Sequence, residues 1–160
     1  MKKILLLVAF AIATQFANAQ VGITGGYLNV KTDGANEGVS GFYAGIYSDL
    51  DISESFHFQP SLLYGNAEDT NFLYVPLMFK YYVANTDLNI QLGPQGTVIL
   101  EDLGDFKNQV GLDLAVGAGF DLFHNVFIEA RYAFKLVNED VAGVGSTNFN
   151  TFMVGLGIGL

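Results

Sequence analysis

The chain has 160 residues, 51% of them hydrophobic, only 14% charged, with a formal net charge of −9. A typical soluble domain carries roughly 25% charged residues, and the acidic balance excludes the basic footprint of a nucleic-acid-binding protein. With no cysteine, a disulfide framework, a thiolate metal site and a lipid-modified N-terminal cysteine are excluded as well.

Lys2 and Lys3 precede an apolar run from Ile4 to Ala13. At about ten residues the run is too short to cross a bilayer as a helix. Ala17-Asn18-Ala19 then supplies the small-x-small pattern of a signal-peptidase site. This order predicts a signal peptide over residues 1–19, cleaved after Ala19, and a single domain over residues 20–160. Cleavage would remove two cations, Lys2 and Lys3, and no acid. No later stretch is long and pure enough for a transmembrane helix. A lipid-like composition without such a stretch must carry its membrane signal in alternation, because only helices and closed barrels satisfy their backbone in lipid.

Eight stretches alternate in this way, and side chains on a strand point to opposite faces with period two. Strand one, Val21–Val30, puts Val21, Ile23, Gly25 and Tyr27 on the apolar face. Strand two, Val39–Asp49, puts Phe42, Ala44 and Ile46 there. Strand three, Phe56–Asn66, has Phe56, Phe58, Pro60, Leu62 and Tyr64 on that face and His57, Gln59, Ser61 and Gly65 on the other. Strand four, Phe72–Val83, presents Leu73, Val75, Leu77, Phe79, Tyr81 and Val83, with Lys80 the one charge opposite. Strand five, Asp87–Leu100, sets Leu88, Ile90 and Leu92 against Asn89, Gln91, Gln95 and Thr97. Strand six, Val110–Leu122, sets Leu112, Leu114, Val116, Ala118 and Phe120 against Gly111, Asp113, Ala115, Gly117 and Gly119. Strand seven, Val126–Leu136, is the clearest. Val126, Ile128, Ala130, Tyr132, Phe134 and Leu136 share one face, while Glu129, Arg131 and Lys135 share the other. Strand eight, Thr151–Leu160, sets Phe152, Val154, Leu156, Ile158 and Leu160 against Gly155, Gly157 and Gly159.

The apolar faces are too continuous for this short chain to cover, so they are expected to meet lipid. The expected fold is all-β: an eight-stranded antiparallel up-and-down transmembrane β-barrel. Its connections alternate in length. Lys31–Gly38, Ala67–Asn71, Glu101–Gln109 and Val137–Asn150 read as long external loops. Leu50–Ser55, Ala84–Thr86 and Phe123–Asn125 read as short periplasmic turns. An even strand count places both termini on the periplasmic side. Pro60, Pro76 and Pro94 fall inside strands, where proline cannot donate to a ladder, so bulges are expected there. Tyr27, Phe42, Tyr64, Phe134 and Phe152 would form an outer aromatic girdle; Phe56, Tyr81 and Phe120 an inner one.

With the apolar faces toward lipid, Lys80, Asp113, Glu129, Arg131 and Lys135 are left in the lumen. An eight-stranded barrel is just wide enough for side chains to fill it, and unpaired charges there are costly. These five residues are therefore expected to form a paired structural network rather than an ion or proton path. His57 and Ser61 share the inward face and could serve a lipid-directed hydrolase; the second histidine, His124, lies in a short turn. Two lumen-facing polar residues at that spacing are the simpler reading. No metal-ligand spacing is recognisable, and Gly155-Leu156-Gly157-Ile158-Gly159 lies in a strand, not in a phosphate loop. The long loops hold Lys31 and Lys107 against Asp33, Glu37, Glu68, Asp69, Glu101, Asp102, Asp105, Glu139 and Asp140. Such acidity serves solvation first, then a divalent-cation bridge to lipid phosphates or a cationic partner.

Five segments carry a family resemblance: Gln59-Pro60-Ser61-Leu62-Leu63-Tyr64, Tyr74-Val75-Pro76-Leu77-Met78-Phe79-Lys80-Tyr81-Tyr82, Leu92-Gly93-Pro94-Gln95, Gly117-Ala118-Gly119-Phe120-Asp121 and Ala130-Arg131-Tyr132. In order and spacing the chain resembles the small outer-membrane β-barrel family that includes PorT-like proteins, and more distantly the eight-stranded OmpX and OmpA barrels. The resemblance implies the barrel fold, strand prolines and a role near an envelope or secretion assembly.

The expectation is thus a non-enzymatic, monomeric, cofactor-free protein of the outer membrane. Its partners would be outer-membrane lipids, the barrel-assembly machinery during insertion and an envelope or secretion component. The competing classes are a soluble periplasmic or secreted barrel that binds an apolar ligand, with its apolar faces turned inward, and a lipid-modifying outer-membrane enzyme.

Overall fold

The computed structural model describes residues 19–32, 36–100, 110–135 and 149–160, with only the backbone of Lys135. The signal-peptide expectation and most of the loops Glu101–Gln109 and Val137–Asn150 fall outside these residues. Eight strands run in chain order: β1 (Gln20–Thr32), β2 (Val39–Asp51), β3 (Phe56–Ala67), β4 (Thr70–Tyr82), β5 (Leu88–Ile99), β6 (Val110–Phe123), β7 (Val126–Lys135) and β8 (Phe149–Gly159). Each pairs antiparallel with the next, and β8 closes on β1. The two chain ends of the barrel are stitched as well. Leu160 N–H donates to Val21 C=O at 2.8 Å, and Gly159 N–H to Asn125 C=O at 2.7 Å. No sheet edge is left to pair with another chain.

The alternation dictates which face is which. Ile46, Leu62, Phe79, Ile90, Leu92, Phe120, Ile128, Tyr132, Leu156 and Ile158 all point outward and are exposed, while Lys80, Asp113, Glu129 and Arg131 are buried inside. The inverted, ligand-binding soluble barrel is thereby contradicted: its apolar faces would have to line the interior. The outward aromatics gather at two levels. Tyr27 pairs with Phe42 and Tyr132 with Phe152 at one. Phe56 packs on Tyr81 at 5.2 Å and Phe58 on Phe79 at 4.9 Å at the other.

Side-chain size alternates across the lumen. Gly155 and Gly157 line the inner face of β8, and a Cβ on either would collide with the Tyr43 hydroxyl or the Phe127 ring, respectively. The glycines of the last strand thus leave the room that two large aromatics from β2 and β7 fill, as small barrels require. At the end away from the termini the filling is apolar: Leu28, Val30, Tyr43, Leu63, Ala67, Phe72, Tyr74 and Met153 pack together, with Val39, Ile99 and Phe149 against them.

Three expectations change. The connection expected as the long loop Ala67–Asn71 is a two-residue turn, because β3 and β4 pair up to Ala67 and Thr70. Glu68 there adopts φ 51°, a left-handed conformation that a two-residue hairpin demands and that a sequence without glycine hides. At the other end β2 runs to Asp51 and β4 stops at Tyr82, so the links Ile52–Ser55 and Val83–Asp87 are both longer than this turn. The prolines make no bulges. Pairing resumes in the same register beyond each one: Tyr47↔Ser61 continues to Leu50↔Phe58, Pro60↔Leu77 to Leu63↔Tyr74, and Pro76↔Gln95 to Phe79↔Leu92. The ladder loses pairs beside the missing N–H groups without the chain inserting a residue. The register shifts instead between Asp121 and Phe123, at the β6–β7 turn.

The glycine–aromatic fit gives the first prediction. Gly157→Val should force Phe127 aside and lower stability by about 1–3 kcal/mol. Gly96→Ala, whose new Cβ would meet nothing closer than 3.9 Å, should be neutral or stabilising by up to ~1 kcal/mol. Urea unfolding in detergent micelles reads both; equal losses would contradict the packing described.

Candidate functional site

Among the described residues, the buried charges gather in the lumen. Glu129 and Arg131 lie two apart on β7, hence on one face, and their carboxylate and guanidinium form a direct ion pair, both almost fully buried. Gln91 Nε2, reaching from β5, donates to Asn89 Oδ1 at 2.9 Å and to Glu129 Oε2 at 3.4 Å. The β6–β7 register places Gly117 opposite Arg131 and Gly119 opposite Glu129. The neighbouring strand therefore offers no side chain to crowd the pair.

Lys80 crosses the lumen from β4. Its Nζ lies 3.0 Å from Asp49 Oδ2 on β2 and 4.6 Å from the centroid of the Phe127 ring, a cation–π contact in a desolvated setting. Phe127 is itself held edge-on by Tyr47, 5.2 Å between centroids. Asp113 accepts from Thr97 Oγ1 at 2.7 Å and faces Lys135 across the β6–β7 ladder. Four of the five expected lumen charges, Lys80, Asp113, Glu129 and Arg131, are therefore inside, and the fifth, Lys135, has the matching backbone position. Among the described residues, Glu129 pairs with Arg131, Lys80 with Asp49, and Thr97 donates to Asp113.

His57 Nδ1 sits 3.0 Å from Asp49 Oδ1 and 3.1 Å from Asp51 Oδ1, and its ring packs on Tyr82 at 4.7 Å. It is committed to carboxylates and not to Ser61, whose buried hydroxyl has no hydrogen-bond partner among the described residues. The pair considered for hydrolysis is not assembled. His124 is exposed in the β6–β7 turn. Asp49 was missed in the sequence as the partner of both Lys80 and His57. The signal was present: with Phe42, Ala44 and Ile46 outward, the residues Tyr43, Tyr47 and Asp49 must face in.

A closed eight-stranded wall, apolar outside and ionic within, is the arrangement that a bilayer selects. Residues 4–159 match the model of the outer membrane protein beta-barrel domain. The chain belongs to this family. The protein is therefore an outer-membrane β-barrel. Among solved structures it is similar to neisserial surface protein A (NspA), at 16% identity and a TM-score of 0.56, covering 89% of this chain and 98% of that one. It is also similar to Ail, the attachment invasion locus protein of Yersinia pestis, at 17% identity and a TM-score of 0.50, covering 89% and 99%. A designed transmembrane β-barrel aligns at 12% identity and a TM-score of 0.54, covering 87% and 95%. At these identities the likeness is one of fold. No curated protein matches the sequence.

The buried pair makes a second prediction. Arg131→Met strands the Glu129 carboxylate and should cost about 3–5 kcal/mol, whereas Glu129→Gln combined with Arg131→Met should recover most of that loss. A double-mutant cycle on micelle-folded protein checks it. Additive losses would mean that the two groups do not act as a pair.

Proposed function

We propose that this protein is a non-enzymatic, monomeric outer-membrane barrel that works through its two ends and not through its lumen. Such a protein serves as a structural or adhesive element, or as an accessory to an envelope or secretion assembly. The observation that carries this reading is the filling of the lumen. Ionic pairs occupy its middle, and the apolar layer of Leu28, Leu63, Phe72, Tyr74 and Met153 crosses its far end. An ion entering from the terminal end would have to part Glu129 from Arg131 and then enter a hydrocarbon-like layer, each step costing several kcal/mol. The PorT-like motifs favour the accessory role. The name of Ail, a protein of attachment and invasion, accords with the adhesive one through fold alone. The expected orientation puts both termini, the His57–Asp49–Asp51 group and the β6–β7 turn in the periplasm, and the acidic loops outside.

Reconstitution of the purified protein in planar bilayers tests this. We expect no stable conductance step, together with retention in the membrane fraction after carbonate and high-salt washing. Reproducible pores of fixed size would overturn the closed-lumen reading. Release without detergent would overturn the integral-membrane reading separately.

A further inference from the structure

The terminal end of the lumen opens into a vestibule of about 570 Å³. Its wall carries Asp49, Asp51, Glu54, Asp87 and Asp121 around His57. The salt bridges that the described residues make there involve only two basic groups, Lys80 and His57. Lys80 spends its ammonium on Asp49 Oδ2, which leaves Oδ1 of the same carboxylate turned to the imidazole. So one nitrogen and two carboxylate oxygens, from residues 49, 51 and 57, converge with all three atoms within 4.8 Å of one another.

We infer that His57 Nδ1, Asp49 Oδ1 and Asp51 Oδ1 form a binding site for a divalent transition-metal ion of the zinc type. The donor set is the argument. Mixed imidazole and carboxylate ligands suit zinc and its neighbours, whereas calcium and magnesium take oxygen alone. Zn–N and Zn–O bonds of roughly 2.0–2.2 Å set ligand atoms about 3.3–3.5 Å apart in a tetrahedron. The His57–Asp49 and His57–Asp51 separations of 3.0 and 3.1 Å need to widen by only a few tenths of an ångström. Asp51 is 74% exposed and free to make that adjustment.

Two further features belong to the same site. Lys80 fixes which oxygen of Asp49 faces inward, the orienting role that supporting groups play around metal ligands. Gln59 is two residues from His57 on the same lumen face, and the Leu50↔Phe58 register puts it opposite Asp49. Both of its amide atoms are fully buried without a hydrogen-bond partner among the described residues, so the lumen side of the trio has an unspent polar group beside it. The vestibule supplies the entry path and room for water as the remaining ligand. Because Asp49 and Asp51 end β2 and His57 begins β3, a bound ion clips the Ile52–Ser55 link and stiffens the terminal mouth.

Cobalt(II) titration of the untagged protein, purified from membranes in detergent micelles, tests the site. One equivalent should give the intense visible bands of a four- or five-coordinate nitrogen–oxygen site, displaced by equimolar zinc. Asp51→Asn changes an exposed group and leaves folding intact. It should weaken binding by at least the roughly 10–100-fold that loss of a mere supporting group costs. His57→Ala should abolish the bands, and heat-modifiable gel mobility confirms that the variant remains folded. Zinc should also raise the unfolding midpoint of the parent protein, and at the same concentration raise that of Asp51→Asn by less. The inference is overturned by weak, octahedral-type spectra that persist in His57→Ala, which would reveal a diffuse cation cloud on an acidic mouth. Absence of saturable binding would overturn it equally and leave the trio as a hydrogen-bonded clasp.

Discussion

The enclosed ion pair of Glu129 and Arg131 is the constraint around which the barrel is arranged. Ladder closure gives every strand one face in hydrocarbon and one in a space too narrow for bulk water. A charge on the first face has no solvation, and a charge on the second is tolerable only beside its opposite. The sequence of β7 meets both conditions at once: its charges fall at one parity, and its aliphatic and aromatic residues at the other. The facing β6 residues Gly117 and Gly119 then make room for the pair, and Gln91 and Asn89 on β5 supply further hydrogen bonds. Lys80 repeats the solution lower in the barrel with Asp49 and the face of Phe127. These contacts fix register as well as charge balance, because a slip of one residue on β4, β6 or β7 would carry an ionised group toward lipid.

The interior consequently divides into three zones along the barrel. An acidic vestibule opens at the end that carries the termini. A middle zone holds the paired charges and the amides of Gln59 and Gln91. An apolar layer built from Leu28, Tyr43, Leu63, Phe72, Tyr74 and Met153 closes the far end. The glycines of β8 allow this filling, since Tyr43 and Phe127 occupy the volume that side chains at Gly155 and Gly157 would take.

Nearly all of the fold was legible in the sequence, for a physical reason. A membrane barrel repeats one decision, in or out, at every residue, and alternation records it directly from Val21 to Ile158. What escaped was local. A two-residue turn at Glu68–Asp69 was hidden because no glycine announces its left-handed backbone. The effect of Pro60, Pro76 and Pro94 was misjudged, since a missing N–H can be absorbed by an open place in the ladder without an inserted residue. The lumen charges were recoverable by parity, and Glu129 and Arg131 as neighbours on one face of β7, but the cross-strand partners were not. Pairing across a barrel depends on how far register advances from strand to strand, and no single strand encodes that. Asp49 shows the difference: its face could be read, while its contacts with Lys80 and His57 required the closed sheet.

The chain contains no tryptophan, so a single introduced one reports its own surroundings without background. Tryptophans placed one at a time at Ile90, Ile128 and Leu156, in protein reconstituted into bilayers with brominated acyl chains, measure the central claim most directly. The account predicts strong quenching by the bromines at all three positions and little by aqueous acrylamide. The reverse pattern, with acrylamide quenching these positions and bromine leaving them bright, would contradict it.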